Sequence, residues 1–552
     1  MPADPIQWPY EMFVGAAATG GRVPDPAHYG EAMRQADSAE WIEAMEQEAQ
    51  AIVINDTFSL VQQRDITPGA KPLRTRFVYA RKYDASGACV RHKARLVADG
   101  SRQHGMGVAE TFAPVSTQAA IRVMTALAAH YGLCTRTVDI KNAYLEAPID
   151  KETFIQLPAS WPAHLGNTAD GDGPVYARLN KGLYGLRKAG QLFNTELNAH
   201  LEAYGLRRCL SDPCCYVLEA QEQTVLWLTC HVDDCLIWAV SDSDIDNLVH
   251  HLEARFQLRD LGKTTFALGI EFDFGDGYAR LAQTAYVEQM LERYGLSGCN
   301  PVGTPLVPNT HLAGAEDGAQ LLGDEQHKLY QQLVGSLQYA SICTRPDISA
   351  AVGQLSRQVA RPTQEHLDAA RHVLKYLSGT KTMGITYRRS STPFELVAWC
   401  DANFAPMEHG SRSTTGLVMM LGGAAVYWRS VRQGLVSLSS CEAEYGALTE
   451  AARECLWLRG LLAELGVGMD GATTIMEDNT GTMAIASTPV TNGRSKHIAL
   501  RVNFVRQHLR LADVKLQHCA TRDQCADLLT KQLPKPQHMT LRDLVMGAGK
   551  KK

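Results

Sequence analysis

Two adjacent carboxylates, Asp233 and Asp234, interrupt the apolar segment TVLWLTCHVDDCLIWAV at residues 224–240. The pattern predicts a strand, a tight acidic turn and a second strand, and charge placed there is costly unless it is compensated. A divalent cation is the natural compensation, because Mg²⁺ prefers carboxylate oxygens. Asp139 ends another apolar strand, and acids from a strand end and a hairpin can hold two metal ions about 4 Å apart for in-line phosphoryl transfer. The alternative is an ordinary hairpin turn, where Asp is common.

A second set of acids lies in a unit that begins near residue 394 and is predicted to run β-β-β-α-β-α. These acids end the first strand, occupy the first turns of the long helix, end the fourth strand and begin the last helix. Four carboxylates that meet at one edge would bind two divalent ions and would suit hydrolysis of a phosphodiester. Taken singly, the last two acids have surface or capping roles as their alternative. The set is Asp401, Glu444, Asp478 and Asp527.

Two glutamates at the start of the long helix have to be told apart. Ser439 followed three residues later by Glu442 is a capping-box pattern. We therefore assign Glu442 to the helix cap and Glu444 to metal binding.

Residues close to the first acidic set have the chemistry to handle a nucleotide. Tyr144 follows Asp139 by five residues, and its ring beneath C2′ of a sugar would clash with a ribose hydroxyl and select deoxynucleotides. The alternative for this ring is a place in the core. Residues 71–102 carry nine basic and two acidic side chains, a net charge of +7. This segment is a candidate surface for a polyanion, with the solvated edge of a sheet as the alternative.

Hydrophobic periodicity predicts the elements that must position these residues. Residues 72–98 alternate as two strands around a turn at DASG, and residues 135–140 form a short buried strand. The further predictions are helices at 37–54, 119–131, 439–465 and 525–532, and loops rich in Gly and Pro at 1–30, 159–174 and 297–327.

Length and composition fit a soluble chain of several domains. The 552 residues suggest about three or four domains, and the contents of 45% hydrophobic and 20% charged residues argue against disorder and against a fibrous protein. No apolar run approaches the roughly 18 residues that span a bilayer, and the first residues do not resemble a secretory signal. The 14 cysteines are scattered without a CxxC pair, which favours a reducing compartment. The net charge of −5 does not by itself indicate a nucleic-acid binder.

Several motifs occur in the order and at the separations of a known family. VDIKNAYL (138–145), KGLYGLRKAG (181–190) and HVDD (231–234) resemble the reverse transcriptase of copia-type LTR retrotransposons. RHKARLVADG, ETFAPVS, LGIEF, GSLQYASICTRPDIS and RHVLKYLSGT resemble the same family in register. DANFAP, LSSCEAEYGAL, EDN and CADLLTKQL resemble the family's ribonuclease H domain. The resemblance covers roughly residues 37–535.

The resemblance implies an α+β chain in which a right-hand polymerase with fingers, palm and thumb precedes a ribonuclease H-like α/β domain with a five-stranded mixed sheet. The implied domains are a loose leader at 1–36, fingers and palm at 37–290, a thumb or connection at 291–390, the ribonuclease H-like domain at 391–535 and a basic tail at 536–552.

The implied activities are RNA-directed DNA polymerase and ribonuclease H, each with two Mg²⁺ ions and with Mn²⁺ as the alternative ion. The implied partners are an RNA template, a DNA or RNA primer, dNTPs and an RNA–DNA hybrid, with no membrane, while the oligomeric state stays open. The expected location is the cytoplasm, in a virus-like particle, with the nucleus as the alternative. The implied catalytic metal ligands are Asp139, Asp233, Asp234, Asp401, Glu444, Asp478 and Asp527, and the nucleotide-binding residues are Lys93, Arg95, Tyr144 and Lys188.

The chain departs from the family pattern at several supporting positions. His231 stands where the family has Tyr, Lys188 where it has Gln, and Gly190 where it has Pro, while Ala499 and Asn503 alter the pattern KHID…H. This mixture fits a divergent active enzyme or a decayed or domesticated remnant that binds nucleic acid without polymerase activity. A third alternative is a host nuclease in which the last domain alone is active. Because zinc-knuckle, protease and integrase motifs are missing, we expect the processed C-terminal enzyme or a truncated reading frame.

Overall fold

The computed structural model describes residues 23–83, 88–103, 107–165, 174–308, 310, 312–316, 318–389, 394–404, 412–488 and 498–548. The predicted turn at DASG, most of the leader, part of the 159–174 loop and the last four residues lie outside the described residues. The described residues form a mixed α/β architecture with four sheets. No helix within them is long and apolar enough to cross a membrane.

The helices and strands carry the following bounds. The helices are α1 Tyr29–Ala32, α2 Ser38–Ile54, α3 Val108–Thr111, α4 Gln118–Tyr131, α5 Ala189–Tyr204, α6 Asp242–Glu253, α7 Thr284–Arg293, α8 Asp324–Cys343, α9 Ser349–Ser356, α10 Gln364–Gly379, α11 Ser440–Glu464, α12 Thr480–Ser487, α13 Ala499–Arg510 and α14 Lys535–Val545. The strands are β1 Phe58–Val61, β2 Leu73–Tyr83, β3 Cys89–Ala98, β4 Cys134–Ile140, β5 Phe154–Gln156, β6 Tyr176–Leu179, β7 Arg207–Arg208, β8 Cys215–Ala220, β9 Gln223–His231, β10 Asp234–Ala239, β11 Leu258–Asp260, β12 Phe266–Ala267, β13 Ile270–Gly275, β14 Tyr278–Ala282, β15 Gly384–Arg388, β16 Val397–Asn403, β17 Thr414–Leu421, β18 Ala424–Arg432, β19 Thr473–Glu477 and β20 Val514–His518.

The N-terminal sheet has the strand order β1-β6-β5-β2-β3. One face of its long β2–β3 ribbon packs on α2 through Trp41, Met45 and Ile52, which are buried as the helical spacing of 37–54 predicted. Since side chains alternate along a strand, the opposite face of the ribbon carries the other half of the residues. That second face holds most of the basic side chains of residues 71–102.

The central sheet has the order β11-β4-β10-β9-β8-β7, and each neighbouring pair is antiparallel. Helices α5 and α6 cover one face of this sheet with a hydrophobic cluster of their own. Helix α4 covers the other face. The sheet therefore holds β4, β9 and β10 rigidly, and these strands carry the first acidic set.

A third sheet, β12-β13-β14-β15, precedes the C-terminal sheet β18-β17-β16-β19-β20. In the C-terminal sheet β16, β19 and β20 are parallel and the other pairs are antiparallel, so the sheet is mixed and has five strands. The carboxyl ends of β16 and β19 therefore lie at the same edge. This edge is where the second acidic set was predicted.

One hydrophobic cluster runs from α4 and the third sheet into the C-terminal sheet without a break. Arg122 of α4 is buried at this junction and stacks on Trp428 of β18, with its guanidinium carbon 3.9 Å from the ring centroid. It donates hydrogen bonds to the backbone oxygens of Val426, Ile342 and Cys343 at 2.7, 2.7 and 3.0 Å. Burying a guanidinium requires such complete pairing, so Arg122 fixes three parts of the chain to each other.

The chain end differs from the sequence prediction. The predicted helix at 525–532 is a 3₁₀ turn, Cys525–Leu529. Most of the segment expected as a basic tail at 536–552 is the helix α14, whose Leu541 and Val545 are buried. The helix packs mainly on the 3₁₀ turn Cys525–Leu529 that precedes it, and it also contacts β18 and the turn Pro346–Ile348.

Candidate acidic metal sites

The first acidic set lies at a two-residue turn between β9 and β10. His231 pairs with Asp234 across the turn, which leaves Val232 and Asp233 as the two loop residues. Val232 has a backbone φ of 60°, a conformation that β-branched residues rarely adopt because of steric clashes. Strain of this kind persists only where the surrounding structure imposes it, and it clusters at functional sites.

Asp139 lies directly across from Asp234 in the antiparallel pair of β4 and β10. The backbone nitrogen of Ile140 donates to the oxygen of Asp233 at 2.9 Å, which ties the turn to the end of β4. Residues directly opposite in an antiparallel pair project their side chains from the same face. The register therefore places Asp139 and Asp234 at opposite positions on one face, with Asp233 in the adjoining turn, and all three are half-buried. Their ligand oxygens do not all lie within 4.8 Å of one another.

A small cleft opens beside this turn. Tyr144, Gly190, Phe193 and Val232 line it together with other mostly apolar side chains. A Cβ at position 190 would lie 3.0 Å from Ala113 Cβ, so the glycine leaves this wall of the cleft open. Tyr144 thus lies next to the acidic turn and at the cleft wall, which allows the sugar-contacting role predicted for it.

Arg95 approaches the cleft from the N-terminal sheet. Its guanidinium lies 5.1 Å from the ring centroid of Tyr184, and that ring packs edge-on against Tyr144 with centroids 5.5 Å apart. Lys93 lies two residues earlier on the same face of β3, and burial, followed by the positive charge of Arg95, lowers its pKa. The two residues predicted to bind the triphosphate therefore face the same side of the ribbon.

The basic face of the β2–β3 ribbon extends beyond these two residues. Register pairs Lys82 with Arg91, and Arg74 and Arg76 lie at the alternating positions that share this face. All four are exposed. The positive charge is therefore concentrated on the side of the ribbon away from the core, as a polyanion surface requires, and a solvated edge would look the same.

Lys188 has a partner of its own. Its Nζ lies 2.6 Å from Asp150 Oδ2, and its side chain is only 13% exposed. The hydrogen bond from Lys188 is the main cause that lowers the pKa of the Asp150 carboxyl. Burial also lowers the pKa of the nearby His231. A nucleotide phosphate would have to compete with Asp150 for Lys188.

The second acidic set converges at the carboxyl edge of β16 and β19. Asp401, Glu444 and Asp478 each offer an oxygen, and these atoms lie within 4.8 Å of one another. Across the described ranges, no other group of three His, Cys, Asp or Glu residues meets this distance. Asp401 is 1% exposed, and the backbone nitrogen of Ala402 donates to Glu444 Oε2 at 2.7 Å. Burial, the charge of Asp401 and the charge of Glu477 raise the pKa of Glu444 to about 9.

This donor set fits a divalent ion. Crowded, buried carboxylates are unfavourable unless a cation compensates them, and oxygen-only ligands suit Mg²⁺ or Mn²⁺. Asp401, Glu444 and Asp478 are the residues that would hold the ion. The central trio offers the same ligand chemistry, in a more open setting at its turn.

Asp527 takes a different partner. Lys531 donates from Nζ to Asp527 Oδ1 at 2.5 Å and to Asp401 Oδ1 at 3.1 Å, and Thr530 Oγ1 donates to Asp401 Oδ2. Sequence reasoning missed Lys531, although its spacing of four residues from Asp527 is typical of an ion pair on one helical turn. It also missed Glu477, a fully buried neighbour of Asp478 that accepts from the backbone of Asn479 at 3.0 Å.

The capping assignment agrees with the structure. Ser439 Oγ accepts from the backbone nitrogen of Glu442 at 3.2 Å, and Glu442 Oε2 accepts from the backbone nitrogen of Leu438 at 2.7 Å. Glu442 therefore closes the start of α11, and Glu444, half a turn further on, points to the acidic edge.

Comparison with known proteins adds relatives over most of the chain. Residues 55–308 match the family described as reverse transcriptase (RNA-dependent DNA polymerase). A retrovirus-related Pol polyprotein from transposon RE1 of Arabidopsis thaliana is 33% identical over 495 residues, which is 89% of this chain and 33% of that protein. The corresponding polyprotein from transposon TNT 1-94 of Nicotiana tabacum is 31% identical over 526 residues, 94% of this chain and 39% of that one. The chain thus spans about a third of the length of these curated relatives.

One solved structure is weakly similar to this chain. It is a foamy viral protease-reverse transcriptase in complex with double-stranded DNA. The aligned region covers 87% of this chain and 69% of the viral chain. The sequence identity is 11% and the TM-score is 0.45.

Proposed function

This chain belongs to the reverse transcriptase family of copia-type retrotransposon Pol polyproteins, and on that premise we propose that it is an RNA-directed DNA polymerase with a ribonuclease H activity. The observation that supports both activities is the placement of two acidic clusters at the ends of rigid strands. Asp139 faces Asp234 across one strand pair, and Asp401, Glu444 and Asp478 converge at another edge.

The polymerase activity resides in the central site. Asp139, Asp233 and Asp234 would hold two Mg²⁺ ions, or Mn²⁺ in their place, and ions bound there would supply activation of a primer 3′-hydroxyl and a hold on the triphosphate of an incoming dNTP. The strand pairing places Asp139 and Asp234 at directly opposite positions, and Asp233 lies in the adjoining turn. Arg95 and Lys93 attract the triphosphate, and Tyr144 at the cleft wall disfavours a ribose 2′-hydroxyl by contact.

The ribonuclease H activity resides in the C-terminal site, where the substrate is the RNA strand of an RNA–DNA hybrid. Asp401, Glu444 and Asp478 would hold the metal, which would supply an activated water for hydrolysis of the phosphodiester. The backbone of Ala402 and the hydroxyl of Thr530 hold Glu444 and Asp401 in place. Asp527 belongs to the same edge and is the fourth acid of the proposed site.

The remaining assignments follow from the same proposal. Residues 37–290 form fingers and palm, residues 291–390 the thumb or connection and residues 391–535 the ribonuclease H-like domain. The nucleic-acid partners are an RNA template, a DNA or RNA primer and the hybrid product, and the exposed basic face of β2–β3 is the surface for the template. The location is the cytoplasm, in a virus-like particle, with the nucleus as the alternative.

A second candidate function is nucleic-acid binding without synthesis, by a decayed or domesticated remnant. The ion pair of Lys188 with Asp150 at 2.6 Å favours it, because this lysine stands beside the cleft where the family has an uncharged glutamine.

Primer extension decides between the two candidates. Purified, folded protein is given a primed RNA template, dNTPs and Mg²⁺, and extension is expected. Binding that weakens with salt without any nucleotide incorporation would instead support the second candidate and refute the polymerase proposal.

A further inference from the structure

We propose that Lys531 is the resident second cation of the C-terminal acidic site in the free protein, so that this site takes up one divalent ion at Asp401, Glu444 and Asp478 rather than two. This inference rests on the proposed metal-dependent cleavage at that site. It concerns the state before nucleic acid binds.

Lys531 contacts two of the four acids at this site. Its Nζ donates to one oxygen of Asp401 at 3.1 Å and to one oxygen of Asp527 at 2.5 Å. Asp401 is also a member of the three-residue cluster whose oxygens lie within 4.8 Å. The ammonium group therefore bridges the cluster and the fourth acid, which is the place that the second ion of a two-metal site, about 4 Å from the first, would take.

Local packing holds the lysine in this place. Asp401 pairs with Gly416 across β16 and β17, and the 3₁₀ turn that precedes Lys531 lies directly on this glycine. A Cβ on Gly416 would come within 2.6 Å of Thr530 Cγ2 and 2.7 Å of the Ala526 oxygen. Because any side chain at 416 would push the turn away, the glycine permits the close approach that brings Lys531 to Asp401.

Charge and geometry then oppose a second ion while the lysine is in place. A Mg²⁺ ion bound to Asp527 Oδ1 would sit about 2.1 Å from that oxygen, and the ammonium already lies 2.5 Å from the same atom. A Mg²⁺ ion and an ammonium group held on the same oxygen atom would repel each other strongly, because the carboxylates around them are buried and water screens the two charges only weakly. Asp527 is 2% exposed, so it has little room to turn away, whereas the Lys531 side chain is 36% exposed and can leave.

The test counts Mn²⁺ ions on the full chain without nucleic acid, by electron paramagnetic resonance of free Mn²⁺ during titration. We expect Lys531→Met, which keeps the length of the side chain and removes its charge, to bind one more ion per chain than the natural protein. Lys531→Arg keeps the charge and is expected to leave the count unchanged. Lys535→Met, an exposed lysine four residues later, is the matched control and is also expected to leave the count unchanged.

Asp478→Asn tests whether the C-terminal site binds an ion at all, separately from the role of Lys531. We expect it to bind one ion fewer than the natural protein. If it binds the same number, the C-terminal site holds no ion and the proposed ribonuclease H function fails. If it loses an ion while Lys531→Met gains none, the site is real and the role of Lys531 is refuted. Melting temperature checks each fold, and Lys531→Gln replaces Lys531→Met if the latter is unfolded.

Discussion

The two acidic sites of this chain solve the same electrostatic problem in different ways. The central trio is half-buried and lies on a turn and on two strand ends. Solvent therefore reaches these carboxylates and screens their negative charge. In the C-terminal cluster Asp401 and Glu444 are buried. Their carboxylates accept hydrogen bonds from the backbone nitrogen of Ala402, the hydroxyl of Thr530 and the ammonium of Lys531. The first arrangement suits a site that admits a nucleotide with its ions at each cycle. The second suits a site that is organised before its substrate arrives.

The largest expected effect is a separation of the two activities by single charge removals. Asp233→Asn should lower primer extension by more than about 100-fold, since even residues that only support a metal ligand cost 10–100-fold, while cleavage of an RNA–DNA hybrid persists. Asp401→Asn should do the reverse. Both activities are measured on the same full-length preparations.

Asp273→Asn, an exposed aspartate of the third sheet, is the matched control and should change neither activity. If Asp233→Asn abolished both activities, the two sites would not be independent, and the comparison between them would fail.

The next effect concerns the core that the two sites share. Replacing Arg122 by Met leaves two buried carbonyl oxygens and a partly buried one without their donor, and the free energy of unfolding should fall by about 3–5 kcal/mol. Because one hydrophobic cluster joins α4 to the C-terminal sheet, both activities should be lost in the same urea transition.

Arg429→Ala is the control on the opposite face of β18, where the ion pairs with Glu450 and Glu454 span 3.8 and 3.7 Å. Its effect should stay below about 1 kcal/mol. Two separate transitions in Arg122→Met would show that the sites rest on independent units. The shared core also means that residues 390–552 expressed alone would lack α4, so a test of the nuclease by itself is better made with Asp233→Asn in the full chain.

A smaller effect is expected from acid. Asp347 is fully buried, and although burial alone would raise its pKa, the charge of Arg345 and hydrogen bonds from Arg345 and Tyr376 lower it to about 2. A carboxyl whose folded pKa lies below its unfolded value contributes stability above the unfolded pKa, near 4, and loses it as pH falls towards 2. The pair should therefore contribute about 2 kcal/mol at pH 5 that is lost by pH 2.

Unfolding measured by circular dichroism from pH 5 to pH 2 checks this, with Asp347→Asn as the comparison. That variant should show a flatter pH dependence, together with a lower stability at pH 5 because Arg345 loses its partner. An unchanged slope would mean that other carboxyls dominate acid unfolding.

The sequence alone was sufficient for the local features of both sites. The alternation around HVDD predicted the hairpin, and helical spacing predicted α2 and α4, because these signals depend on neighbours within a few residues. The ion pair of Lys188 with Asp150 and the burial of Arg122 could not be predicted, because the fold brings these residues together from 38 or more positions apart. The pairing of Asp527 with Lys531 was missed because Asp527 lies in a 3₁₀ turn, which has no clear periodicity. The helix α14 was missed because its position depends on packing against the 3₁₀ turn Cys525–Leu529, β18 and the turn Pro346–Ile348, which periodicity does not report.

The smallest expected effect tests the strained turn that distinguishes the central site. Val232 holds a φ of 60°, which glycine adopts without steric cost. Val232→Gly should therefore raise the free energy of unfolding by up to about 1 kcal/mol, since relief of strain exceeds the entropy that glycine loses on folding. Primer extension should fall several-fold, because the carboxylates beside a relaxed turn are held less rigidly, while hybrid cleavage stays unchanged. The matched control is Glu222→Gly, at φ 63° in the hairpin at the other end of β9, which should alter stability slightly and neither activity. A Val232→Gly protein that is less stable, or that extends primers at the natural rate, would show that the strain has no part in positioning Asp233 and Asp234.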